Sequence, residues 1–147
     1  MSLEADIQAM GRTRPFDQLP REALQLLAFS CAKKNLKAGE TLFVEGEAAD
    51  AAYFVLSGAI DLMSRQSRRR VNAGALIGET ALLADIARRA NARAADDSVA
   101  LRIPSEVFRR VLSEFPQAAA KIHAAASART RDFLARLEDV RARAFDV

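Results

Sequence analysis

From about Lys33 the chain gives up helical spacing for short apolar runs punctuated by glycines, and this change of period constrains the fold more than any other feature. The runs are Thr41-Leu42-Phe43-Val44, Ala52-Tyr53-Phe54-Val55-Leu56, Ala59-Ile60-Asp61-Leu62-Met63 and Ser98-Val99-Ala100-Leu101-Arg102-Ile103. Each is of strand length, and Gly39, Gly46, Gly58, Gly74 and Gly78 supply turn signals between them. Several short strands joined by glycine turns predict a β-barrel of the jelly-roll (double-stranded β-helix) kind.

Helical spacing holds on either side. Pro20 suits a first helical position, and Leu19, Ala23, Leu26 and Leu27 give one apolar face. After Pro104, Ser105 with Glu106 suits a helix start, and Val107, Phe108, Val111 and Leu112 form the inner face. A last helix is expected from Pro116 to the C-terminus, with Ile122, Ala126, Phe133, Leu137, Val140 and Ala144 as a stripe broken near Arg129. The fold class is therefore mainly β with flanking helices: a barrel with an N-terminal helix and two C-terminal helices. Residues 1–14 are expected as a loosely docked arm, and 15–147 as a single domain that includes the C-terminal helix.

Charge and chemistry exclude several functions. With 50% hydrophobic and 28% charged residues the composition is globular, and the net charge is only +3. Arg65, Arg68, Arg69 and Arg70 cluster between two strand candidates, where a solvated hairpin tip is the preferred reading over a patch for an anionic partner. The single cysteine, Cys31, excludes an intrachain disulfide and suits a reducing cytoplasm as a packed thiol. No apolar run approaches the roughly 18 residues of a membrane helix, and no signal-peptide core is present. A cytoplasmic, stand-alone protein without a membrane span is expected. His123 is the only histidine and falls outside the barrel, so no metal site is expected. Phosphate-loop, nucleophile-elbow and paired-histidine motifs are all missing, and no catalytic residue is assigned: the chain is expected not to be an enzyme. The segment after Phe115 lacks the turn of a helix-turn-helix, which argues against nucleic-acid binding.

The stretch with chemistry is Ile77-Gly78-Glu79-Thr80-Ala81-Leu82-Leu83, followed by Ala87-Arg88-Arg89-Ala90-Asn91-Ala92. Gly78 lets the backbone approach a ligand closely, and the helical turn after it offers N–H groups to an anion. Arg88, nine residues beyond Glu79, can grip two oxygens of that anion at once. A carboxylate, a helix N-terminus and an arginine together suit a ligand bearing both hydroxyl and phosphate. A salt bridge between Glu79 and Arg88 closing a hairpin is the structural alternative.

At these residues the chain resembles the cyclic nucleotide-binding domain family, which includes the catabolite activator protein and kinase regulatory subunits. The likeness covers about residues 19–145, with Ala87 in place of the usual proline, Arg89 in place of a small residue and Asn91 in place of a threonine. The resemblance implies that Glu79 accepts a hydrogen bond from the ribose 2′-hydroxyl and that Arg88 pairs with the phosphate. Backbone groups of Gly78, Glu79, Thr80, Ala81, Arg89 and Ala90 would complete the phosphate cradle. Val71, Leu76 and the last helix would supply apolar surface for the purine, and Asn91 could address its edge. The implied function is a regulatory sensor module that signals by repositioning its C-terminal helix, with cAMP as the favoured ligand and cGMP as the other choice. No further cofactor is implied. The helix either docks on the barrel or pairs with a twin, and a homodimer is favoured; the downstream protein partner is left open. The competing reading is a nucleotide-free scaffold of the same fold for dimerisation or protein contacts, against which stands the retention of both charged residues.

Overall fold

The computed structural model describes residues 3–128 and residue 135. Two helices, α1 (Leu3–Met10) and α2 (Arg21–Phe29), precede ten strands, and α3 (Ser105–Glu114) follows them. Residues 116–128 are again helical (α4). The strands are β1 (Ala32–Leu36), β2 (Thr41–Phe43), β3 (Ala48–Ala49), β4 (Ala51–Ser57), β5 (Ala59–Met63), β6 (Arg68–Asn72), β7 (Leu76–Ile77), β8 (Ile86–Ala87), β9 (Asn91–Ala94) and β10 (Ser98–Pro104). They form two four-stranded antiparallel sheets, β1-β10-β4-β7 and β2-β9-β5-β6, with β3-β8 as a separate pair. The architecture is the jelly roll expected, although the sheets do not close into one continuous hydrogen-bonded barrel.

β4 explains why the core has two halves. Its residues Ala51 to Val55 are all buried, so the sequence is an unbroken apolar run rather than an alternation. The pleat sends alternate side chains to opposite faces. Ala52 and Phe54 join Leu101 and Ile103 of β10 against the helices, while Tyr53 and Val55 join Ile60, Ile77, Ala92, Ala94 and Ala100 between the sheets. On the helical side Phe16 meets Phe108 of α3 edge-on, with ring centroids 5.9 Å apart.

Several expectations need correction. The N-terminal arm is a docked helix: Ile7 and Met10 of α1 are buried in the helical core, and Glu4 pairs with Arg21 of α2. Its polar composition concealed the two apolar residues, one turn apart, that dock it. On α2 the inner face is Ala23, Leu24, Leu27 and Ala28, whereas Leu26 lies outside. Two strands rich in cations, β1 and β6, were not among the apolar runs. Both are sheet edges with mostly exposed residues, where apolar side chains are not needed. The arginines expected at a hairpin tip therefore extend into β6, with only Arg65 in the turn.

α3 matches its expected face, with Phe108, Val111 and Leu112 buried. In α4 Ile122 is buried and His123 exposed, while Phe133, Leu137, Val140 and Ala144 lie outside the described residues. Among the described residues no helix is long and apolar enough to cross a membrane, and no group of three His, Cys, Asp or Glu is placed to hold a metal ion.

Candidate ligand-binding site

The site is built around Gly78, at the end of β7. Its φ of 77° is left-handed, a conformation that favours glycine. A Cβ there would come within 2.6 Å of Arg88 Nη1, so the missing side chain also makes room for the guanidinium. The chain then turns through a short 3-10 segment, Glu79–Leu82, closed by Ala81 N–H donating to Gly78 O at 3.0 Å.

Arg88 arrives from the other side, just beyond β8. Its N–H donates to Glu47 O at 2.7 Å, and its carbonyl accepts from Gly46 N–H at 2.9 Å, which fixes the backbone against the β2–β3 turn. The side chain runs inward and is only 6% exposed. Nη2 donates to Ala51 O at 2.7 Å, and Cζ stands 4.2 Å from the centre of the Phe43 ring and 5.7 Å from that of Tyr53. Burial pushes its pKa down from the ordinary value, and the nearby Tyr53, Asp50 and Glu47 act in the opposite sense. A guanidinium stays charged under such a shift. Interaction with an aromatic face stabilises a desolvated cation by about 2 kcal/mol.

A cavity of about 170 Å³ adjoins this guanidinium, lined by Phe43, Ala49, Leu62, Ile77, Gly78, Thr80 and residues 86–90. The sequence-selected residues divide around it. Gly78, Thr80, Arg88, Arg89 and Ala90 line the cavity, and Glu79 Oε1 is shielded from solvent beside them.

The other selected residues lie elsewhere. Ala81 is fully buried, and its carbonyl accepts from Ser105 Oγ at 2.7 Å, on the α3 side. Leu76 sits opposite Phe54 and packs with it against the helical core, while its neighbour Ile77 turns to the cavity. Val71 packs on the inner core without lining the cavity. Asn91 Oδ1 accepts from Glu45 N–H at 2.7 Å and so ties down the β2–β3 turn.

Sequence reasoning missed Phe43 and Leu62. Both lay in recognised strands, and the signal was their inward pleat position: Leu62 stands two residues from Ile60 on the same face.

Residues 33–115 match the sequence profile of the cyclic nucleotide-binding domain. A solved structure of a cyclic nucleotide-binding-like protein from Brucella abortus is 38% identical, with a TM-score of 0.68, over 74% of this chain and 98% of that one. The lysophospholipase nte1 of Neurospora crassa is 30% identical over 79% of this chain, and the cAMP-dependent protein kinase regulatory subunit of Eremothecium gossypii 30% identical over 71%. The chain spans only 8% and 23% of the length of these two curated relatives. With the matched profile running from β1 through α3 and enclosing both Gly78-Glu79 and Arg88, the chain belongs to the cyclic nucleotide-binding domain family.

Proposed function

We propose that the chain is a ligand-responsive regulatory module that holds a cyclic nucleoside monophosphate by its phosphate at Arg88. The observation that carries this is the guanidinium buried beside a cavity between Gly78 and Phe43. A fold that spends desolvation free energy on a cation gains from a ligand anion that meets its remaining donors. Glu79 takes the ribose hydroxyl in this reading, and Thr80, Arg89 and Ala90 close the cradle. The chain acts by binding and not by catalysis, in the cytoplasm, and passes its signal through repositioning of the helix after Phe115, in a homodimer, to a protein partner. cAMP is the ligand for which the kinase relative is named, and the phosphate and ribose contacts are the same for cGMP.

A thermal-shift comparison tests the reading. Both cyclic nucleotides are expected to raise the melting temperature as concentration exceeds Kd, since ligand stabilisation grows as RT ln(1 + [L]/Kd). The linear 5′-monophosphates are expected to do so much less. The small cavity favours a second reading, a nucleotide-free scaffold, because sites for drug-sized ligands measure about 300–1,000 Å³. A melting temperature unmoved by saturating cyclic nucleotide would select it.

A further inference from the structure

Arginine side chains leave both faces of β6, and the backbone between them lies at an open edge. Arg68 and Arg70 stand opposite Met63 and Asp61 on one face of the β5–β6 hairpin, and Arg69 stands opposite Leu62 on the other. All three are exposed. β6 ends the sheet β2-β9-β5-β6, so among the described residues no strand covers its far side. The hairpin turn settles which backbone groups face that side. Ser64 N–H donates to Ser67 O at 2.9 Å, and bonded pairs alternate with unbonded ones along an antiparallel ladder. In this register Leu62–Arg69 is a bonded pair, while Met63–Arg68 and Asp61–Arg70 are not. The N–H and C=O groups of Arg68 and Arg70 therefore point outward. Asn72, next in the outward set, already turns its carbonyl to Ala75 N–H at 3.1 Å.

Charge decides what can pair there. One row across the sheet reads Arg93, Asp61, Arg70, with Arg70 Nε donating to Asp61 Oδ1 at 2.8 Å. That hydrogen bond first, and also the charges of Arg70, Arg68 and Arg93, hold the Asp61 carboxyl below its ordinary pKa. One carboxylate thus serves several guanidinium groups. A second copy of β6 is disfavoured at the edge, because pairing centred on Arg69 sets arginine opposite arginine, and like charges directly opposite are destabilising.

We propose that β6 is a docking edge for an extended acidic segment of a partner protein, which adds to the four-stranded sheet as a fifth strand. The segment's backbone bonds the outward groups of Arg68 and Arg70. Three successive Asp or Glu residues then come opposite Arg68, Arg69 and Arg70, so that the incoming acid continues the alternation of Arg93, Asp61 and Arg70. β5, β6 and β9 contain no aromatic residue on which nucleic-acid bases could stack. The large exposed hydrophobics among the described residues, which a lipid surface would take up, are Leu3, Leu26, Phe29 and Val44, none of them in these strands. The inference is independent of the nucleotide reading.

Fluorescence anisotropy on the full chain tests this with a labelled peptide carrying Glu-Glu-Glu between valine and threonine residues. Saturable binding is expected, and at least about tenfold weaker binding when glutamine replaces each glutamate. Methylating alternate backbone nitrogens of the peptide should abolish binding in one set and spare it in the other, since only every second residue bonds β6. Hydrogen exchange at the Arg68 and Arg70 amides should slow with the peptide bound. Arg68→Gln combined with Arg69→Gln should weaken binding at least about tenfold, whereas Lys34→Gln, on the edge strand of the other sheet, should leave it in place. The peptide series uses the unaltered protein, so it decides the matter whether or not the double variant folds. Four results would overturn the assignment: no saturable binding, equal binding of the glutamine peptide, unchanged exchange at Arg68 and Arg70, or tighter binding to phosphatidylserine vesicles or duplex DNA than to the acidic peptide.

Discussion

Arg88 and Gly78 form one device, because the absence of a side chain at one makes the other's position possible. Gly78→Ala would bring a methyl group to 2.6 Å from the guanidinium at a φ of 77°. The left-handed backbone alone costs a residue with a Cβ about 1–2 kcal/mol, and that loss is expected in denaturant unfolding. The Arg88 side chain must also shift, so nucleotide affinity should fall further than stability does. Cys31 shows the opposite case, a reactive group made inert. Its Sγ lies 3.0 Å from Leu27 O, and burial pushes the thiol up to about 12 from an ordinary 9.0. The folded thiol therefore binds its proton where the unfolded one has lost it. Its contribution to stability is full below about pH 9 and declines between 9 and 12. Alkylation by iodoacetamide at pH 8 should be slow in the native protein and fast in urea; equal rates would contradict this placement of Cys31.

At the scale of elements, α3 anchors the ligand turn. Ser105 Oγ donates to Ala81 O at 2.7 Å, Arg109 Nε to Leu82 O at 3.2 Å, and Arg109 Nη1 meets Asp85 Oδ1 at 3.1 Å. Ser105→Ala removes a buried hydrogen bond and should cost about 1 kcal/mol in unfolding. Arg109→Ala loosens the turn and the following loop, and is expected to weaken nucleotide binding with less change in melting temperature. β4 is the element the core depends on most. Phe54→Ala should cost about 3–5 kcal/mol, a range that unfolding curves resolve readily. The apolar strands β4, β5 and β10 were legible in the sequence because burial on one or both faces demands apolar residues. β1 and β6 were not legible, because at an edge the backbone pairing is kept while the side chains face water. Leu76 and Ile77 differ by one position and face opposite cores, a distinction that only pairing with Phe54 and Tyr53 decides.

In the whole molecule, two sheets and a helical layer share one sheet of strands between two cores, and the site lies where the turn after β7 meets the loop after β8. The Gly-Glu and Arg of the site were legible together because a short motif fixes backbone shape and charge locally. The rest of the apolar lining was not, since Phe43 and Leu62 are brought to the cavity from two other strands, β2 and β5, outside that motif. Among the described residues Phe29, at the end of α2, is 82% exposed. The central claim is that a buried cation awaits a ring phosphate, and it can be tested on one residue. Isothermal titration of the unaltered protein and of Arg88→Ala with cAMP and cGMP should show saturable binding of at least one nucleotide and at least a tenfold weaker Kd in the variant, since a charge-assisted hydrogen bond contributes about 1.5–3 kcal/mol. An unchanged Kd in Arg88→Ala, or no heat from either nucleotide with the unaltered chain, would contradict it.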